Sequence, residues 1–251
     1  MGEQLSSALR HIGRVAILTG DTIRFTFRRP FGFDLLMGQL HHLGVRSLSI
    51  TNITALFTGM VLALQTAHTL GIYGAKLLIG DAVSISIVRE LGPVLTSLLV
   101  AGRVGAGITA EIGSMAVTEQ VDAIRALGAS PVKKLVVPKV LATLIMLPLL
   151  TILADFVGIV GGMIISVKDL NQSSAYYTQH VLKALTFDDI FSGVGKTVFF
   201  AGFIAIIGCY NGLNATGGAD GVGRATTGTV VMASILILIS NFFLTKLFLL
   251  F

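Results

Sequence analysis

The chain has 251 residues, of which 53% are apolar and only 12% are charged, about half the charged fraction of a soluble globular domain. A soluble domain of this length would have to hide nearly all of its surface to tolerate that composition, which the scaling of surface with volume excludes. The net charge of +5 does not indicate nucleic-acid binding, because the basic residues collect between the apolar segments. The composition therefore predicts one all-α membrane domain over residues 1–251, with an N-terminal region at 1–46 and a core at 47–251.

The first 30 residues have the pattern of an amphipathic helix. Apolar side chains share one face of this helix: Leu5, Leu9, Ile12, Ala16, Ile23 and Phe27. Charged side chains share the opposite face: Arg10, Arg14, Asp21, Arg24 and Arg28. An apolar face opposed by arginines is typical of a helix that lies in the membrane interface rather than across the membrane. A helix packed on the surface of the protein is the alternative.

Five later segments are long and apolar enough to cross a bilayer, whose hydrocarbon core of about 30 Å requires about 20 apolar residues in helical form. These predicted spans are residues 47–75, 82–110, 140–167, 190–210 and 225–245. Their Lys, Arg, Asp and Glu residues are Arg89, Glu90, Arg103, Asp155 and Lys196. Small residues recur at intervals of four, as at Gly105 with Thr109, Gly158 with Gly162, and Gly208 with Gly212, which indicates closely packed helices.

The distribution of Lys and Arg between the spans predicts the orientation. Six of these residues lie in 1–46, four in 111–139 and one in 211–224. The segments on the opposite side hold only Lys76, Lys168, Lys183 and Lys246. The positive-inside rule therefore places the N-terminus and residues 111–139 and 211–224 in the cytoplasm, and the C-terminus in the periplasm.

The segment between the second and third spans predicts a short cytoplasmic helix. Residues 118–127 are good helix formers with acidic residues near the N-terminal end, which the helix dipole favours. Gly128 ends this helix, and Pro131 and Pro138 precede the third span. A capped helix of this kind would offer a partner a rigid contact surface; a structured loop without a partner is the alternative.

This segment and the span before it resemble a known family. Asp122-Ala123, Leu127-Gly128-Ala129-Ser130-Pro131 and Pro138 are similar to the cytoplasmic loop of ABC-importer permeases, where a short helix contacts the ATPase. A longer set resembles the MlaE permease family more closely: Arg89-Glu90-Leu91-Gly92-Pro93, Ala101-Gly102-Arg103, Ala110-Glu111-Ile112-Gly113, Met115, Thr118-Glu119-Gln120 and Arg224-Ala225-Thr226-Thr227. The resemblance covers about residues 45–250. An interfacial helix followed by five spans is also the order of elements in that family.

The resemblance implies a homodimeric permease in the inner membrane of a Gram-negative-type bacterium. It implies three partners: a cytoplasmic ABC ATPase, a small STAS-domain protein and a periplasmic ring of MCE domains. The implied cargo is phospholipid that moves between the inner and outer membranes and so maintains outer-membrane lipid asymmetry. ATP and Mg would bind the partner ATPase, so no cofactor is expected in this chain. The residues that would contact the ATPase are Glu111, Thr118, Glu119, Gln120, Asp122 and Gly128.

Arg89, Glu90 and Lys196 are candidates for a substrate cavity, because ionisable groups inside apolar spans are costly unless they are paired or line a wet cavity. The resemblance implies that Glu90 and Lys196 lie near the lipid cavity, and Asn241 stands where the family often has an acid. A structural ion pair of Glu90 with Arg89 or Lys196 is the alternative, and the two roles are compatible. Gly92-Pro93 predicts a kink just after this pair. Asp155, alone in its span, is expected to form a hydrogen bond between helices; a role as a third cavity-lining group is the alternative.

Enzymatic and metal-binding motifs are absent from the sequence. Residues 193–197, Gly-Val-Gly-Lys-Thr, resemble the end of a Walker A loop, but Ile190 stands where that motif requires glycine. His41 and His42 are adjacent and point to different helix faces, which is poor geometry for a metal ligand pair. We therefore predict a permease without catalytic residues or a metal. The alternative is a secondary transporter driven by an ion gradient, with Glu90 or Asp155 as proton carrier, which would not require ATP.

Overall fold

The computed structural model describes residues 2–27, 33–248 and 250, with the side chains of residues 2–8 outside the description. All regular secondary structure in this part of the chain is helical, which confirms the predicted all-α class. Arg28, Arg29 and the side chain of Leu5, which contribute to the sequence argument, lie outside the described residues.

The helices follow one another with short connections. They are α1 (Gly2–Thr26), α2 (Phe33–Leu43), α3 (Leu48–Ile72), α4 (Ile79–Ser86), α5 (Gly92–Val100), α6 (Ala106–Val117), α7 (Gln120–Ala126), α8 (Val137–Lys168), α9 (Ser174–Ala184), α10 (Phe187–Leu213) and α11 (Gly218–Phe248). Turns of π-helix lie at Ile87–Leu91, Ala101–Gly105 and Val132–Val136, and 3₁₀ turns at Val45–Ser47 and Lys76–Leu78.

Five helical segments in the described residues are long and apolar enough to cross a membrane. They are Phe33–Ile72, Lys76–Val117, Val132–Lys168, Phe187–Leu213 and Gly218–Phe248. Each coincides with one of the five predicted spans, so their number and order are confirmed. The helical segments are longer than the apolar runs because polar turns at their ends continue the helix.

Helix α1 confirms the predicted N-terminal helix. Leu9, Ile12 and Ile23 each remain more than half exposed. Leu18 and Thr22 are buried on another side, and the helix contacts the Val132–Val136 turn. The helix therefore packs on protein through a narrow face and leaves a wider apolar face uncovered, as an interfacial helix does.

Residue contacts divide the chain into two compact units, each assembled from three segments. Unit 1 comprises Met1–Val45, Val100–Ile145 and Ala201–Leu236. Unit 2 comprises Arg46–Leu99, Met146–Phe200 and Ile237–Phe251. The single membrane domain stays a prediction.

Unit 2 is held together by close approach of helix backbones. A Cβ atom on Gly59 of α3 would lie closer than 3.0 Å to the carbonyl group of Gly158 on α8, a separation that real Cβ atoms do not show. Gly161 approaches the backbone of Leu56 in the same way. Dispersion contacts between such closely spaced helices replace the hydrophobic drive that lipid does not supply. A buried cluster adjoins this contact and contains Ala63, Ala67, Ile79, Val83 and Ile87.

Unit 1 combines small residues with a buried hydroxyl pair. A Cβ on Gly212 of α10 would press on Ile112 of α6, and one on Gly208 would lie 3.2 Å from the carbonyl oxygen of Gly105. Next to these glycines, Thr109 Oγ1 donates to Thr229 Oγ1 at 2.8 Å, and both residues are fully buried. Interhelical hydrogen bonds of this kind contribute about 0.6 kcal/mol each in membranes. The four-residue spacing of small residues thus marks real helix contacts in this unit.

Candidate functional site

Four polar side chains of unit 2 form one network, which we call the Glu90 cluster: Glu90, Lys196, Asn241 and Thr245. The Glu90 carboxylate accepts hydrogen bonds through Oε1 from Lys196 Nζ at 2.7 Å and from Thr245 Oγ1 at 2.8 Å. Its Oε2 accepts a hydrogen bond from Asn241 Nδ2 at 3.0 Å. The cluster therefore joins side chains from three of the helical spans, and it contains three of the four residues that the sequence nominated for the cavity.

Pro93 explains why the ammonium group of Lys196 is held at this place. In a regular helix the carbonyl of Arg89 would accept the backbone N–H of residue 93, but proline has no N–H. The chain forms a π-helical turn at Ile87–Leu91, just before the proline, and the Arg89 carbonyl accepts a hydrogen bond from Lys196 Nζ at 3.0 Å. Lys196 also donates to Thr245 Oγ1 at 2.7 Å, so its three protons all have acceptors. Pro93 in the predicted Gly-Pro break therefore also frees the Arg89 carbonyl that holds Lys196 in the Glu90 cluster.

The Glu90 cluster opens on a mainly apolar cavity. Lys196 is 1% exposed, whereas Glu90 is 38% exposed. The cavity has a volume of about 460 Å³. Its lining comprises Glu90, Leu238, Asn241, Phe242, Thr245, Lys246 and Leu250. This arrangement offers one polar edge and an apolar wall to an amphipathic ligand, while the ammonium group stays covered. Whether the cluster lines a lipid path stays a prediction.

Arg89 points to a different carboxylate. Its guanidinium group forms an ion pair with Asp189, which is 2% exposed and also accepts hydrogen bonds from the backbone N–H and hydroxyl group of Thr186 at 2.8 Å. Asp189, Thr186 and Thr245 are not among the residues that the sequence predicts for this site. A usable signal was present for Asp189, because it precedes Lys196 by seven residues and so shares its helix face. Arg89 and Glu90 are adjacent on the π-helical turn, and their partners on α10, Asp189 and Lys196, lie about two turns apart.

Helix α7 is the helix that the sequence predicts as a contact for a partner, and it is shorter than predicted. It begins at Gln120 rather than Thr118, because Glu119 adopts a left-handed backbone conformation with φ of 61°. Gly128, with φ of 73°, follows its end as the sequence predicts. All six nominated residues are exposed: Glu111, Thr118, Glu119, Gln120, Asp122 and Gly128. Contact with an ATPase stays a prediction.

Glu111, the sixth nominated residue, has a partner within unit 1. Its carboxylate accepts a hydrogen bond from Lys139 Nζ at 2.6 Å, and Lys139 also contacts Gln39 Oε1 at 3.3 Å. Lys139 is 2% exposed. Lys139 belongs to a segment predicted to be cytoplasmic, and the structure buries it between α6, α8 and α2. Glu111 thus braces the end of the second span and is only partly available to another protein.

These features define a class of protein. The described part of the chain has five apolar helical spans and no cluster of three or more His, Cys, Asp or Glu residues that could hold a metal ion. Polar side chains instead meet at an open apolar cavity, and a short exposed helix separates two spans. This combination characterises the multi-span membrane permeases.

A family model for Permease MlaE matches residues 36–247, which include all five predicted spans. The chain belongs to the MlaE permease family. A probable ABC transporter permease protein of Rickettsia bellii is 43% identical over 99% of this chain and 96% of the relative. A probable ABC transporter permease protein of Synechocystis is 46% identical over 91% of this chain and 87% of the relative. The intermembrane phospholipid transport system permease protein MlaE of Haemophilus influenzae is 36% identical over 98% of this chain and 94% of the relative.

Proposed function

We propose that this chain is the transmembrane permease subunit of an ATP-driven transporter that moves phospholipid between the inner and outer membranes and maintains outer-membrane lipid asymmetry. Membership of the MlaE permease family and the name of the Haemophilus relative support this proposal. The observation that carries it is the Glu90 cluster at the edge of an apolar cavity in unit 2.

The chemistry of the cavity suits a phospholipid. Acyl chains require an apolar wall, which Leu238, Phe242 and Leu250 provide, and a headgroup phosphate requires a cation. Lys196, covered behind Glu90, is the cation that we assign to the phosphate. In the present arrangement its protons are accepted by Glu90, Thr245 and the Arg89 carbonyl. A phosphate would replace Glu90 as an acceptor, and Glu90 would hold the ammonium group in place between cycles. This exchange keeps the Lys196 ammonium group paired with an anion at each stage.

The same proposal includes the partners. The permease acts as a homodimer in the inner membrane, with its N-terminus in the cytoplasm. A separate ABC ATPase binds ATP and Mg and contacts the exposed side chains around α7. A STAS-domain protein and a periplasmic MCE-domain ring complete the transporter. Ile190, at the position where a Walker A loop needs glycine, supports the assignment of ATP hydrolysis to another polypeptide.

ATP dependence tests the function directly. The permease is coexpressed with its partner subunits, reconstituted in vesicles, and assayed for transfer of a fluorescent phospholipid. We expect transfer only with ATP and Mg, and at least a tenfold loss in the double variant Glu90→Gln, Lys196→Met. Lys183→Met, which removes an exposed lysine of α9, should transport normally. Transfer driven by an ion gradient without ATP would favour the secondary transporter instead.

Stability measurements separate a lipid-contacting pair from a brace. Removal of one partner of a buried ion pair costs about 3–5 kcal/mol, and replacement of both by apolar or neutral groups restores much of this loss. We expect the single variants to unfold at lower temperature than the double variant. A photoreactive residue at position 90 or 196 should form a lipid adduct. A folded double variant with normal transport, and no adduct at either position, would leave the pair as a structural brace only.

A further inference from the structure

Arg103 lies in an unusual place for an arginine. It belongs to the π-helical turn Ala101–Gly105, inside the second span and in unit 1. Its side chain is exposed, and it has no hydrogen bond or ion pair with any residue that the structure describes. A charge within a membrane span is costly unless a partner or water compensates it, and π-helical turns frequently mark functional positions. The partner of Arg103 is therefore to be sought outside this chain's described residues.

The other basic residues inside the predicted spans are already compensated. Arg89 pairs with Asp189, and Lys196 pairs with Glu90. Both pairs lie in unit 2. Arg103 is thus the one lysine or arginine of the predicted spans that lacks a carboxylate partner among the described residues.

The carboxylates that a second copy of the chain could supply within the predicted spans are few, and each is already engaged or buried. The predicted spans contain only two acidic residues, Glu90 and Asp155. The Glu90 carboxylate accepts hydrogen bonds from Lys196, Thr245 and Asn241. Asp155 is 7% exposed. Glu111, at the end of this span, already pairs with Lys139. The phosphodiester of a membrane phospholipid is the other anion that an exposed side chain of this span meets.

The surroundings of Arg103 admit such a group. A Cβ atom added at Gly102 or at Gly107 would meet no heavy atom within 4 Å, and both glycines are exposed. Glycerol and acyl chains can therefore approach the helix backbone beside the guanidinium group. Arg103 lies eight residues before Glu111, about 12 Å along the helix axis, so its long side chain can extend toward the headgroup layer. Its planar fork of N–H donors matches two phosphate oxygens.

We propose that Arg103 binds the phosphodiester group of a membrane phospholipid, at a site whose residues are distinct from those of the Glu90 cluster. The site takes phospholipids through the phosphate common to them all, and it discriminates against diacylglycerols, which have the same acyl chains without a phosphate. It does not depend on the chain transporting lipid, so it stands or falls separately from the proposed transport function.

Native mass spectrometry of the detergent-purified, delipidated transporter tests the site. Dioleoylphosphatidylglycerol is titrated in, with dioleoylglycerol as the ligand that lacks the phosphate. We expect Arg103→Gln to weaken the binding of one phosphatidylglycerol per chain at least tenfold, and Arg103→Lys, which keeps the charge but loses the fork, to weaken it less. The matched variant Arg125→Gln removes an exposed arginine that already pairs with Asp122 outside the spans, and it should bind as the unmodified protein does.

Three results would overturn the proposal. One is unchanged phosphatidylglycerol binding by Arg103→Gln, and another is equal binding of dioleoylglycerol by the unmodified protein. The third is loss of association between two copies in Arg103→Gln while each copy keeps its phosphatidylglycerol, which would assign Arg103 to a protein contact. If Arg103→Gln does not fold, folded Arg103→Lys decides the question by the same comparison, and binding equal to that of the unmodified protein would count against the site.

Discussion

The residue at position 92 is constrained by Asp155, which belongs to another span. A Cβ atom at position 92 would lie closer than 3.0 Å to Asp155 Oδ1. This carboxylate oxygen is buried and has no hydrogen-bond partner among the described residues, so the hydrogen bond between helices that the sequence predicts for Asp155 is not formed at Oδ1. Glycine at position 92 therefore has a second role besides the Gly-Pro break, because its lack of a side chain leaves room for the Asp155 side chain of another span.

We expect Gly92→Ala to lower the free energy of unfolding by about 1–3 kcal/mol, the usual cost of overpacking. The double variant Gly92→Ala, Asp155→Ala should recover most of this loss, because the colliding carboxylate is then absent. Thermal unfolding of the purified protein in detergent measures both effects. Gly202→Ala is the control, since a Cβ there meets no heavy atom within 4 Å. Equal losses in Gly92→Ala and Gly202→Ala would contradict the steric explanation.

At the scale of elements, α7 is a short helix with a defined anchor. Val121 is 3% exposed and fixes the helix on unit 1, whereas Leu127 at its end is 85% exposed. Asp122 and Arg125 pair with each other at 2.7 Å on the exposed side. The left-handed conformation of Glu119 turns the chain sharply into this helix. An anchored helix with an uncovered surface is suited to transmit force from a partner.

We expect Glu119→Lys to reduce both copurification of the ATPase and ATP hydrolysis stimulated by the permease, by reversing a charge at the proposed contact. Copurification on a tagged permease and an ATPase assay provide the two measurements. Glu119→Gln keeps the size of the side chain and should have a smaller effect. Asp169→Lys makes the same charge reversal in an exposed segment predicted to be periplasmic, and should have none. If Glu119→Lys matches the unmodified protein in both assays, α7 is not the contact.

In the second span, the sequence predicts the position of a break in the helix but not the shape of that break. Gly92-Pro93 predicts a break, and the structure has a π-helical turn at Ile87–Leu91 just before it. A wider turn accommodates the proline ring and the missing N–H without ending the helix. Because the turn also sets the directions of Arg89 and Glu90, the break determines which partners these side chains reach.

At the scale of the whole molecule, orientation rests on charge counting. The count places 166–188 in the periplasm and 211–224 in the cytoplasm. Lys139 is buried, so it does not belong to the exposed basic residues. Without it the balance of eleven against four becomes ten against four, which predicts the same orientation.

Cysteine labelling tests this orientation. Ser174→Cys and Ala219→Cys are made in a background in which Cys209, which is buried, has been replaced. Both positions are exposed in the structure. With a membrane-impermeant reagent and permeabilised outer membranes, we expect label on Ser174→Cys only, and on Ala219→Cys only after the inner membrane is opened. Label on Ala219→Cys alone in intact inner membranes would reverse the topology.

The sequence by itself determined the helical class, the five spans, the N-terminal helix and the position of α7. These features follow from local rules: a backbone in hydrocarbon must satisfy its own hydrogen bonds, a span needs a minimum apolar length, and glycine ends a helix. The sequence also nominated Glu90, Lys196 and Asn241, because charged and amide groups are conspicuous among apolar residues. Only the tertiary structure decided that Arg89 pairs with Asp189, that Lys139 is buried against Glu111, and that Arg103 has no carboxylate partner among the described residues. Such pairings join residues that can be 100 positions apart, and they depend on how each helix is rotated and spaced against its neighbours, which no local pattern of residues specifies.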